Sequence, residues 1–234
     1  MKPNDKFIIG FGTGRCGTKS LSILLAKQPS LFASHEFGEL DWEFNGLQFC
    51  NIVSNLGFHC GDTTPCDVAY YWINYLDKLI DLFPKTKAIF LTRNKKDVVD
   101  SWMKNMAPGN NFFISPDSKY WNKDYISNYK NRFFPFYDLP KREAVSQYYD
   151  DYHKKAFILW NKYSDNIKTF ISPSTFNEEV LQRELLSFIG IPEKDQVIAV
   201  GVKSNASNKK WKHAENMLLY NNMTKEFKRL KWVG

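Results

Sequence analysis

Two arginines define the chemistry open to this chain. Arg15 lies inside a glycine-punctuated run, Gly12-Thr13-Gly14-Arg15-Cys16-Gly17-Thr18-Lys19-Ser20. Arg93 ends an apolar run, Ala88-Ile89-Phe90-Leu91-Thr92, with Ser101 eight residues beyond it. A guanidinium presents a planar fork that meets two oxygens of one anionic group. Lys19 adds a second charge to the first run, and Thr18 and Ser20 add hydroxyl donors. The glycines allow tight turns. A helix that starts after Gly17 leaves N–H groups without intrahelical partners, and its dipole favours an anion there. The chemistry indicated is capture of phosphate-like groups.

These residues need elements to hold them. Residues 7–11 read as a short buried strand, and Leu21, Ile23, Leu24 and Leu25 crowd one face of a following helix. Further strands are expected over 31–36, 58–65, 87–93 and 167–171. In the second of these Pro65 is read as a stop. Helices are expected from the acidic–aromatic run after Gly38 to about Leu56, and then with Tyr71, Ile73, Leu76, Leu79, Ile80 and Phe83 on the buried side. Others are expected over 96–106, 141–164 and 177–189, the last ended by Gly190 and Pro192. A polar basic loop with Lys209 and Lys210 and a helix over 214–231 close the chain. Residues 107–140 differ: prolines and ten aromatic rings mark a substrate-side insertion rather than a disordered linker. The alternation predicts an α/β fold, a doubly wound parallel sheet with flanking helices and a P-loop-like strand–loop–helix. Ligands of such sheets bind at the carboxyl ends of the strands, where the glycine loop falls.

The 234 residues are read as one domain, 1–234, with a formal charge of +7 that suits an anionic partner. Nineteen Phe, twelve Tyr and seven Trp supply core and pocket walls for flat ligands. Cys16, Cys50, Cys60 and Cys66 show no Cys-x-x-Cys spacing, so neither a metal site nor a disulfide framework is expected. The first six residues are polar and no segment has the length and apolarity of a membrane span. A cytoplasmic protein without a membrane anchor is the expectation.

The glycine spacing suits a nucleotide triphosphate loop, but there the lysine directly follows the second glycine. Here Thr18 follows Gly17 and Lys19 comes one residue late, while Arg15 sits inside the loop. The run Gly14-Arg15-Cys16-Gly17-Thr18-Lys19-Ser20-Leu21 resembles the 5′-phosphosulfate-binding loop of sulfotransferases that use 3′-phosphoadenosine 5′-phosphosulfate (PAPS). The Arg93–Ser101 pair is similar to the residues with which that family holds the 3′-phosphate. Gly61-Asp62-Thr63-Thr64-Pro65 and Phe188-Ile189-Gly190-Ile191-Pro192 match more softly. Lys19 departs from a position that is often Thr in the family.

The resemblance implies transfer of a sulfuryl group from PAPS to a hydroxyl or amine, leaving 3′-phosphoadenosine 5′-phosphate (PAP), with no metal. Arg15, Cys16, Gly17, Thr18, Lys19 and Ser20 would meet the 5′ group, Arg93 and Ser101 the 3′-phosphate, and Lys209 and Lys210 are candidates for further contact. Arg15 would also stabilise charge in the transition state. The family uses a carboxylate or histidine as base; Glu36 is favoured, with His35 beside it and His59 and Asp62 in reserve. Adjacent strand residues point to opposite faces, so only one of His35 and Glu36 is expected to face the acceptor. That acceptor is a small molecule, glycan, lipid or peptide. The alternatives are an ATP-dependent small-molecule kinase with an atypical P-loop and a nucleic-acid-binding module. No stacking motif interleaved with basic residues supports the second, so no nucleic-acid partner is expected.

Overall fold

Five short segments form the strands of a parallel sheet. In the computed structural model these are β1 (Ile8–Phe11), β2 (Leu31–His35), β3 (Thr64–Val68), β4 (Lys87–Thr92) and β5 (Ile167–Ile171), in the order β2-β3-β1-β4-β5. The structure describes residues 5–38, 40–105, 114–115 and 132–201. All of these lie in one unit of the chain, 1–204; a second unit, 205–234, lies outside the described residues. The expected helix over 214–231 and most of the aromatic stretch 107–140 also fall outside them.

β1 is central and buried along its whole length, which is why it reads as unbroken apolar sequence. The helices cover both faces, as parallel crossovers require. They are α1 (Thr18–Ala26), α2 (Gly46–His59), α3 (Leu76–Leu82), α4 (Lys95–Asn105), α5 (Lys141–Lys162), α6 (Ser174–Asn177) and α7 (Glu179–Phe188). Leu21, Leu24 and Leu25 of α1 are buried, and a Cβ on Gly10 of β1 would come within 2.8 Å of Leu21 and Val68. That close seat fixes the start of α1 against the end of β1.

The third strand departs from its expected place. Residues 58–63 are not strand: α2, capped by the Asn45 side chain accepting from the Gln48 N–H at 3.2 Å, continues through His59 into a turn. The strand begins at Thr64 and contains Pro65 instead of being stopped by it. The proline is tolerated because pairing with β1 starts only at Cys66, opposite Ile8, so no ladder bond to β1 is lost. The expected helix over 177–189 is divided into α6 and α7 by extended backbone at Glu178. A 3-10 turn, Tyr70–Asn74, precedes α3 and buries Tyr71 and Trp72. Among the described residues no helix is long and apolar enough to cross a membrane.

Candidate functional site

The connection from β1 turns towards one strand neighbour and that from β4 towards the other, so a crevice opens between their carboxyl ends. The glycine loop forms one lip. A Cβ on Gly12 would stand 2.5 Å from the Leu91 carbonyl oxygen and 2.6 Å from Cys16 Sγ, so only glycine lets the loop leave the sheet here. Because the nearest atom belongs to sheet backbone, it cannot swing aside. Gly12→Ala is therefore expected to destabilise the fold by about 1–3 kcal/mol, lowering the urea midpoint. An unchanged midpoint would show that the loop relaxes freely. Gly17 caps α1 at φ 98°, and Arg15 itself takes φ 57°, a left-handed conformation unusual for a residue with a Cβ. Strain of this kind is concentrated at functional sites.

The loop's side chains divide by depth. Cys16 is buried, and burial pushes its thiol up to about 11, so it is a neutral packing group. Thr18 and Ser20 are also buried. Arg15 reaches outwards, its Nε donating to Ser101 Oγ of α4 at 3.1 Å. On the opposite lip, Arg93 Nη1 donates to the Arg15 carbonyl at 3.4 Å and Nη2 lies 3.6 Å from Asp97. Arg93 Nε is buried without a hydrogen-bond partner among the described residues. The Arg15 guanidinium is held below its ordinary pKa, first by burial and then by the neighbouring Arg93 cation. Two cations that repel one another at a sheet crevice form a site whose tension an anion relieves. Arg15, Arg93 and Ser101, separate in sequence, are thus brought together, with Ser101 bonded to Arg15 rather than to Arg93.

A second group closes the end of β2. His35 is its last residue, and Glu36 follows in left-handed backbone at φ 55°. This breaks the strand alternation, so the two side chains do not point to opposite faces: His35 Nδ1 lies 3.9 Å from Glu36 Oε2. His35 Nε2 lies 3.3 Å from Thr18 Oγ1, joining this pair to the start of α1 beside the glycine loop. Desolvation on burial shifts the Glu36 carboxyl up; the His35 charge opposes that shift, Asp67 adds to it less strongly, and Lys19 opposes it. About half of the side chain (49%) still meets water, which limits that rise. The turn is fixed by Asp67 of β3, fully buried, which accepts from Ser34 Oγ at 2.8 Å, the Phe37 N–H at 3.1 Å, Tyr71 OH at 3.1 Å and Trp72 Nε1 at 2.8 Å.

The reserve residues lie elsewhere. Because β3 starts later than expected, His59 ends α2 and packs against Phe37 with ring centroids 5.9 Å apart, while Asp62 is exposed in the turn before β3. Both precede the strand and neither stands at its carboxyl end. Lys209 and Lys210 lie outside the described residues. A ring cluster not singled out in the sequence backs the loop: Trp42, Tyr70, Trp102, Phe134, Tyr148 and Tyr152, with Tyr70 and Phe134 stacked at 4.3 Å. A Cβ on Gly14 would stand 3.1 Å from Trp102. The signal for it was the count of aromatics, but their assembly needs contacts between distant elements. A cavity of about 500 Å³ between α3 and α5, lined by Ile73, Asn74, Asp77, Lys155, Ile158 and Leu159, contains none of the candidate residues. Among the described residues no three His, Cys, Asp or Glu side chains are grouped to hold a metal ion.

No family model and no curated protein sequence matches the chain. Its architecture does have a counterpart among solved structures. The crystal structure of a sulfotransferase from Alicyclobacillus acidocaldarius superposes with a TM-score of 0.51 and 14% identity. The match covers 96% of this chain and 92% of that one. With its all-parallel five-stranded sheet and flanking helices, the chain has a sulfotransferase-like α/β fold.

Proposed function

We propose that the protein transfers a sulfuryl group from PAPS to a hydroxyl or amine of an acceptor. The observation that carries this reading is the convergence of Arg15 and Arg93 across the β1–β4 crevice, with Ser101 bonded to the first. Two cationic positions suit a nucleotide with two separate anionic groups. Arg15 and the N–H groups at the start of α1 meet the 5′ group; Arg93, with its Nε unpartnered among the described residues, meets the 3′-phosphate. When bound, PAPS supplies the sulfuryl group and PAP as the leaving group. The base takes the proton from the acceptor oxygen or nitrogen as that atom bonds to sulfur and the bond to the phosphate oxygen breaks. Arg15 stabilises the charge that grows on that departing oxygen. His35 and Glu36 stand at the loop as the base pair, Glu36 taking the proton.

The kinase alternative looks for a carboxylate on a strand beside β1 to help hold magnesium. Asp67 is on such a strand, but its two oxygens are engaged by four donors inside the protein. Calorimetry of PAP, AMP and ATP without magnesium tests the proposal. PAP is expected to bind about 10–150-fold more tightly than AMP, the equivalent of one charge-assisted bond. Equal affinity for PAP and AMP, or magnesium-dependent ATP turnover, would overturn the reading.

A further inference from the structure

The end of β4 is gripped from α5. Tyr148 and Tyr152 of that helix enter the ring cluster, whereas Tyr149 and His153, one residue on and a turn apart, face the strand terminus. Tyr149 OH donates to the Arg93 carbonyl at 2.7 Å. His153 Nδ1 lies 2.8 Å from the Tyr149 carbonyl, and His153 Nε2 lies 2.8 Å from Thr92 Oγ1. A carbonyl only accepts, so Nδ1 carries the proton; in the neutral ring Nε2 then accepts from the Thr92 hydroxyl. Burial holds the His153 pKa below its ordinary value, in keeping with that neutral form. The two rings stack at 3.9 Å, and His153 meets Phe90 of β4 edge-on at 5.2 Å.

Consecutive residues, Thr92 and Arg93, are therefore held by one side-chain chain from a single helix. Among the described residues the Arg93 guanidinium itself has a 3.4 Å bond to the loop and a 3.6 Å ion pair with half-exposed Asp97. Its aim depends on where its backbone stands, and that is fixed by the 2.7–2.8 Å contacts behind it. We propose that Tyr149 and His153 are positioning residues for Arg93, and that they set how strongly the site prefers a nucleotide with a second phosphate. This rests on the assignment of Arg93 to that phosphate.

The test is calorimetry of PAP and AMP with wild type, Tyr149→Phe and Thr92→Val. Tyr149→Phe keeps the stacked ring and removes only the hydroxyl; Thr92→Val keeps the shape and removes the donor to His153. Each is expected to lower the affinity for PAP about fivefold, the worth of one neutral hydrogen bond, and to leave AMP binding unchanged, so that the PAP-to-AMP ratio falls. A merely structural role would weaken both nucleotides in proportion and leave the ratio where it was. If wild type discriminates and both variants keep its ratio, the positioning inference is overturned while the proposed function stands. If wild type binds PAP and AMP equally, both fall together.

Discussion

Arg15→Ala is expected to lower turnover by about 100–1,000-fold, the usual loss when a donor aimed at developing charge is removed. The affinity for PAP should fall much less. The reason is the position of the guanidinium: it is bonded to Ser101 at 3.1 Å and placed by its own strained backbone at the mouth of the loop. An interaction that strengthens as the sulfuryl group leaves acts on the barrier more than on the bound ground state. Arg15→Lys should recover part of the rate, because a point charge keeps the sign but not the fork. Lys19→Ala is the control. Its charge acts on Glu36 from the first turn of α1, so its loss should be milder. Turnover and PAP affinity for the three variants at one salt concentration decide the matter. If Lys19→Ala abolishes turnover while Arg15→Ala is tolerated, the loop works as a nucleotide triphosphate loop and the kinase reading takes the lead.

The second large effect concerns the proton. Glu36→Gln is expected to reduce turnover by about 100–10,000-fold, the range for a lost general base, with PAP affinity unchanged. The pH profile gives the sign. The base works deprotonated, and the surroundings of Glu36 raise its pKa, so it keeps its proton to a higher pH than an ordinary glutamate. Wild-type turnover should be present above that raised value and fall away as the pH drops through it; Glu36→Gln should lack this limb. A variant Glu36→Gln with wild-type turnover, alongside an inactive His35→Asn, would hand the role of base to the histidine that touches Thr18.

The strands expected at 7–11, 31–36, 87–93 and 167–171 all fall within a residue or two of β1, β2, β4 and β5, and the mark is plainest in β1 and β4, whose burial on both faces leaves a nearly unbroken apolar run. The third strand was misplaced because Pro65 looks like a stop wherever the pairing partner is unknown, and only the register with β1 shows that it breaks nothing. The doubly wound class was legible for the same reason, since it depends on alternation and not on boundaries. At the site, residue type marked Arg15 and Arg93, but their partners were not readable. That Ser101 meets Arg15 depends on how α4 leans on the loop. That His35 and Glu36 lie side by side depends on one left-handed residue, which strand alternation cannot foresee. The grip of Tyr149 and His153 joins β4 to a helix more than fifty residues further on, which no local pattern records.

The contact between Arg93 and the Arg15 carbonyl joins residues 78 positions apart, across two strands that are neighbours in space but not in order. As the chain leaves the ribosome, the first lip of the crevice exists long before the second. A nascent chain ending before β4 has the glycine loop but no Arg93, so under the proposed function selective capture of a doubly phosphorylated nucleotide would be a late event in synthesis. Under the proposed function, the same span would make the nucleotide a clasp between early and late segments. Its binding should slow amide exchange at Gly14–Gly17 and at Arg93–Asn94 together, because opening either lip releases the ligand from both.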